Sequence, residues 1–176
     1  MKYTPPKGMT VTAQDGSDFG VIYGLAAMTT GVTDGSNAAA GDIGEILEAT
    51  VASGSAVSLA TATGKDVTTL ALTPGDWDVS AVVDRALAGT TMTVASCGIS
   101  LTANTLPSQP GGSGLDPDAA AYDLKSLTTV TGTLNQHVNP VRLSITANTT
   151  VHLVAEDTFS AGTVAAYGTI RARRVR

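Results

Sequence analysis

Several things that common functions depend on are scarce in this chain. Of its 176 residues only 4% are aromatic; there are two histidines, one cysteine, and ten Lys and Arg against fifteen Asp and Glu. A lone cysteine, Cys97, excludes an intrachain disulfide and the multi-cysteine zinc sites. A net charge of −5 argues against general nucleic-acid binding, which needs a basic footprint. No apolar run reaches the roughly 20 residues that cross a bilayer. The opening MKYTPPKGM lacks the apolar core of a signal peptide. The expectation is a soluble protein made in a reducing cytoplasm, with neither a membrane nor nucleic acid as partner.

What the chain does have favours sheet. Hydrophobic residues make up 43%; with so few aromatics the core must come from Val, Leu, Ile and Ala. Thr is abundant, and Val, Ile and Thr are stiff at χ1 and pack well on a pleated surface. Nineteen glycines and seven prolines punctuate the chain densely. From residue 43 onward about nine extended segments follow one another: 44–51, 56–62, 65–73, the stretch after Pro74–Gly75, 90–101, 124–134, 141–146, 150–159 and 164–175. This spacing predicts an all-β sandwich or barrel. VRLSIT and TVHLVA, joined by ANT, read as a tight hairpin, with Val141, Leu143 and Ile145 matching Val151, Leu153 and Ala155. The best helical rival is DPDAAAYDLKSL, capped by Asp116 or Asp118. One long loop, 104–121, interrupts the cadence, and loops of that length are usually functional or mobile.

Residues 1–42 differ in kind. Their apolar patches, MTV and FGVIYGLAAM, are short and interrupted by glycine. An extended arm that lies along another surface is expected, with Phe19, Val21, Ile22, Tyr23 and Leu25 as its anchoring contacts. Residues 43–176 then form the folded domain.

The only tryptophan sits in TPGDWDVSAVVD. Alternation places Trp77, Val79, Ala81 and Val83 on one row, and a Trp is costly outside a core unless its N–H finds a partner. The neighbouring acids read as a wet opposite row that discourages edge pairing. A glycosidase would need two carboxylates facing across a cleft roughly 5–9 Å wide, and same-face acids on one strand offer half of that. Of the histidines, His137 reads as a turn residue, and His152 as solvated or subunit-facing. Asp116 and Asp118 lack the alternating oxygen ligands of a calcium loop. Cys97 reads as a buried inert thiol. The sequon NTT at 148–150 means little without a secretory signal. No catalytic residue, metal site or cofactor is expected.

The closing strand is more particular. Val164, Ala166, Gly168, Ile170 and Ala172 make one row; Tyr167, Thr169, Arg171 and Arg173 make the other. Four of the ten basic residues fall within 171–176. They are either a solvated tail or partners for a neighbouring subunit's acids, which arginine's planar fork suits.

Taken together, GDWDVS, R-x-S-x-x-A-N-T-T-V-x-L-V-A and AYG-x-I-x-A-R-R make residues 43–176 resemble a family of tailed-bacteriophage virion proteins. The resemblance implies a trimeric jelly roll of the tumour-necrosis-factor-like kind, non-enzymatic, on the virion. In such a homotrimer the interface candidates are Tyr167, Thr169, Arg171 and Arg173. Two roles are implied. One is a capsid decoration (cement) protein whose arm lies on the major capsid protein. The other is a tail-fibre tip that plugs into a tail protein and presents loop 104–121 to a host surface glycan or protein.

Overall fold

A computed structural model describes residues 34–107 and 128–176 in full; residues 3–4, 9–12, 18–22, 120–123 and 127 are described by their backbone. The chain divides into two compact units, Met1–Ala38 and Ala39–Arg176, close to the compositional change at residue 42. The first unit contains a three-stranded antiparallel meander, β1 (Tyr3–Thr4), β2 (Met9–Thr12) and β3 (Asp18–Ile22), in that order. MTV, the first apolar patch of the arm, lies in β2, and Phe19, Val21 and Ile22 at the start of the second lie in β3. Tyr23 and Leu25 fall outside the described residues.

The second unit is built from β4 (Ile46–Val51), β5 (Val57–Ser58), β6 (Lys65–Leu72), β7 (Gly75–Ser100), β8 (Ala120–Asp123), β9 (Leu127–Ile145) and β10 (Thr149–Arg174). β7 and β10, 26 residues each, pair antiparallel along nearly their whole lengths. At one end of this ribbon the order across the sheet is β4-β10-β7-β9; at the other it is β6-β10-β7-β8. Inward residues from both ends, among them Trp77, Val83 and Ile170 from the first and Leu72, Ile99 and Leu153 from the second, belong to one buried cluster. The ribbon is thus folded over on itself into a two-layered all-β sandwich with jelly-roll connectivity.

The fold-over explains where sequence and structure part. Punctuation such as AGTT and SAGT looks like loops but marks bulges, which bend a strand without ending it. The β7–β10 register slips between Thr158 and Thr163, where Gly89 and Gly162 take φ of +60° and +74°. A Cβ on Gly162 would lie 2.4 Å from the Ala88 carbonyl oxygen, so the chains cross too closely there for any side chain. Six of the expected segments accordingly merge into three long strands.

The expected hairpin 141–146/150–155 is not one. β9 pairs with β7, whereas the start of β10 pairs with β6. The ANT connection is an arch between layers, and Val141 and Leu143 join Val151 and Leu153 in the shared core. Their matching apolar alternation records facing across a sandwich, which periodicity does not distinguish from pairing within a sheet. For the helical rival, Asp116 and Asp118 lie outside the described residues, while Ala120–Asp123 of that segment is strand.

Candidate functional site on the outer face of the first sheet

Strand alternation directs Tyr167, Thr169, Arg171 and Arg173 of β10 outward from the β4-β10-β7-β9 sheet, as the sequence predicts. Directly opposite them on β7 stand Asp84, Val82, Ser80 and Asp78. The outer strands complete the rows. Arg171 Nε donates to Glu48 Oε2 on β4 at 2.7 Å, Thr50 and Thr169 share a 2.8 Å hydroxyl bond, and Asn135 on β9 donates to Asp84 at 2.7 Å. The Arg171–Glu48 pair is 60% and 41% exposed, so it is worth no more than about 1 kcal/mol. A shallow groove of about 500 Å³ crosses these strands, lined by Glu48, Ser80, Val82, His137, Asn139 and Arg171 among others. Its polar groups supply hydrogen bonds in both directions, beside apolar surface from Val82, Val138 and Pro140.

The C-terminal arginines divide by the alternation of β10. Arg174 points inward, stacked 4.2 Å above the Trp77 ring. Its Nε donates to Glu45 at 2.9 Å and its Nη1 to the Pro74 carbonyl at 2.8 Å. Trp77 Nε1 donates to Thr73 O at 2.9 Å, which gives the buried indole the partner it needs. Gly75 takes φ +144°, a backbone conformation that L side chains rarely adopt, and this lets the strand start against the Arg174 guanidinium. Arg176 and Arg142 both reach Asp76, the latter at 2.7 Å. Three of the four C-terminal arginines therefore pair within their own chain. Arg173 is exposed and has no ion-pair partner among the described residues.

Asp76 corrects the expectation that the acids beside Trp77 are all wet: it is 3% exposed. Hydrogen bonds from Arg142, then Arg176, hold its carboxyl well below the usual carboxylate range. A carboxyl whose folded pKa is depressed stabilises the fold at pH above its unfolded value, and that contribution fades as pH falls toward the folded one. Asp76→Asn is expected to lower the thermal midpoint at pH 7, with the difference from wild type starting to narrow only below about pH 4 and still large at pH 3. A constant difference across an acid series would show that the charge is immaterial.

Polar groups also lie inside the sandwich. Arg85 Nε donates to both Asp157 oxygens, at 2.9 and 2.7 Å, and its Nη2 to Ser96 O at 2.7 Å. Burial pushes the Asp157 carboxyl upward and Arg85 opposes it. Next to them Cys97 is fully buried, and burial raises its thiol to about 11. Since the thiolate is the reactive form, Cys97 should resist thiol reagents in the native protein and react at once in denaturant. Rapid native labelling would contradict that placement.

His152 is not simply solvated: it is half-buried, and its Nδ1 lies 2.8 Å from Asp66 Oδ2. Asp66 in turn exchanges two hydrogen bonds with Asn104, at 2.9 and 2.6 Å, which ties the root of the long loop to edge strand β6. His137 is exposed on the groove. Among the described residues no three His, Cys, Asp or Glu side chains converge as metal ligands. Asp78 and Asp84 project from one face of one strand. Residues 108–119 of the loop, with Asp116 and Asp118, lie outside the described residues. Set against known proteins, the chain matches no family model and no curated protein.

Proposed function

We propose that the protein is a non-enzymatic structural component of a tailed-bacteriophage virion, a homotrimeric decoration protein on the head. In this role the jelly roll trimerises through the outer face of its first sheet, and the N-terminal unit anchors it to the major capsid protein. The observation that carries the proposal is where the motifs behind the resemblance fall. GDWDVS supplies Gly75, Asp76 and Trp77, and the closing motif supplies Gly168, Arg173 and Arg174. Apart from Arg173, these residues hold the end of the sandwich together: Gly168 packs against Val82, Gly75 and Trp77 against Arg174, and Asp76 pairs with Arg142 and Arg176. Motifs spent on the scaffold, beside a face of hydrogen-bonding strips, suit a protein whose task is assembly.

Two measurements test this. Light scattering should give a mass three times the 17.6 kDa of one chain; a single-chain mass at working concentration would defeat the trimer. Deleting residues 1–42 should leave a folded trimer that no longer joins the particle, whereas retained incorporation would show that the anchor lies elsewhere.

A further inference from the structure

On the outer face of the first sheet the two central strands carry opposite chemistry. β10 presents donors, Arg173, Arg171 and Tyr167. β7 presents acceptors, Asp78, Ser80 and Asp84, at the same three heights. The middle donor is engaged by Glu48. The outer two rows, Arg173 with Asp78 and Tyr167 with Asp84, are about 20 Å apart along the strands. Asp78 and Arg173 are both exposed, face one another across the ladder, and form no ion pair within the chain among the described residues.

Such a face is complementary to a second copy of itself in only one family of arrangements. A cyclic axis parallel to the strands and passing over the centre of the sheet keeps every residue at its height. It brings the β10 strip of one copy against the β7 strip of the next. A twofold lying parallel to the sheet but perpendicular to the strands would instead lay β10 on β10 and β7 on β7, setting donor against donor. Closed cyclic symmetry then repeats the match at every interface.

Resting on the trimeric reading above, we infer that the occupant of this face is a second copy of the chain, docked about an axis parallel to the strands. Arg173 of one copy pairs with Asp78 of the next, and the Tyr167 hydroxyl of one donates to Asp84 of the next. Charge matching of this kind fixes register and rejects wrong partners more than it adds raw affinity. It also makes assembly sensitive to salt, because the pairs lie at a rim open to ions.

Charge reversal tests the inference in the full-length chain. Arg173→Glu and Asp78→Arg should each raise the concentration needed for assembly by about tenfold or more. As surface changes they should leave the thermal midpoint of the subunit nearly unmoved. The double reversal should restore assembly, since every interface then regains an opposite pair. If wild type is trimeric and both single variants assemble as well as it does, the pairing is wrong and the trimer stands. A double variant that stays dissociated would also overturn the pairing. If wild type itself runs as one chain, the trimeric reading has failed first.

Discussion

Asp157→Ala is expected to destabilise the protein by about 3–5 kcal/mol, because it strands a fully buried guanidinium. Arg85 and Asp157 are each 0% exposed and joined at 2.7 Å. Arg85 stands on the first half of β7 and Asp157 on the first half of β10, which pairs with the other half of β7 at Ala95. Their link therefore spans the two layers next to the bulges where the ribbon turns back, and Ser96 contributes a backbone N–H to Asp157 Oδ1 at 3.2 Å. Taking two charges out of water costs several kcal/mol per ion, which the pair and its hydrogen bonds roughly offset. Removing one partner leaves the cost and takes away the compensation. Replacing both, as Arg85→Met with Asp157→Leu, should cost far less than either single change and could exceed wild type in stability. Chemical denaturation of the three variants decides it. A double variant as unstable as the sum of the singles would mean that the two side chains act independently, contradicting the compensation between them.

Gly168→Val should be comparably damaging for a different reason. Gly168 lies in the second half of β10, opposite Val83, at φ +152°, and a Cβ there would sit 2.0 Å from the Val82 carbonyl oxygen. The obstacle is the backbone of a paired strand, so no flexible side chain can swing away. Strained backbone and overpacking together cost roughly 2–6 kcal/mol. For a domain of this size that lowers the thermal midpoint by about ten degrees or more. Gly54 is the control: a Cβ there meets nothing within 4 Å, and Gly54→Ala should be close to neutral. Equal effects at the two positions would show that local crowding at Gly168 is relieved by a shift of the strand.

The contrast between these two sites and the easier residues shows what the sequence makes legible. Trp77 between two acids is readable because a large apolar side chain on an alternating strand has one low-energy destination. Cys97 is readable for the same reason. The Arg85–Asp157 pair is not, since its partners are 72 residues apart and each looks like one more outward charge in a strand. Arg174 is misread for a related reason. RARRVR appears as a uniform basic tail, yet strict alternation sends one arginine over Trp77 while its neighbour Arg173 faces out. Asp76 escapes notice because its burial is supplied by Arg142 and Arg176, side chains from the far end of the sequence. Periodicity gives the strands but not their partners, so the arch at residues 146–148 reads as a hairpin, and bulges read as strand ends.

The outer row of β10 was legible throughout. Its opposition to a β7 row of acceptors was not, because register between residues some ninety positions apart is set by the fold-over and by no local signal.

The most direct measurement of the proposed virion role is to take phage particles raised from a genome carrying this sequence, label them intact with a specific antibody and locate the label by electron microscopy. Dense label over the head is the result predicted for a decoration protein. Sparse label confined to the tail end would contradict that and favour a receptor-binding tip, and virions that take no label at all would contradict a virion role altogether.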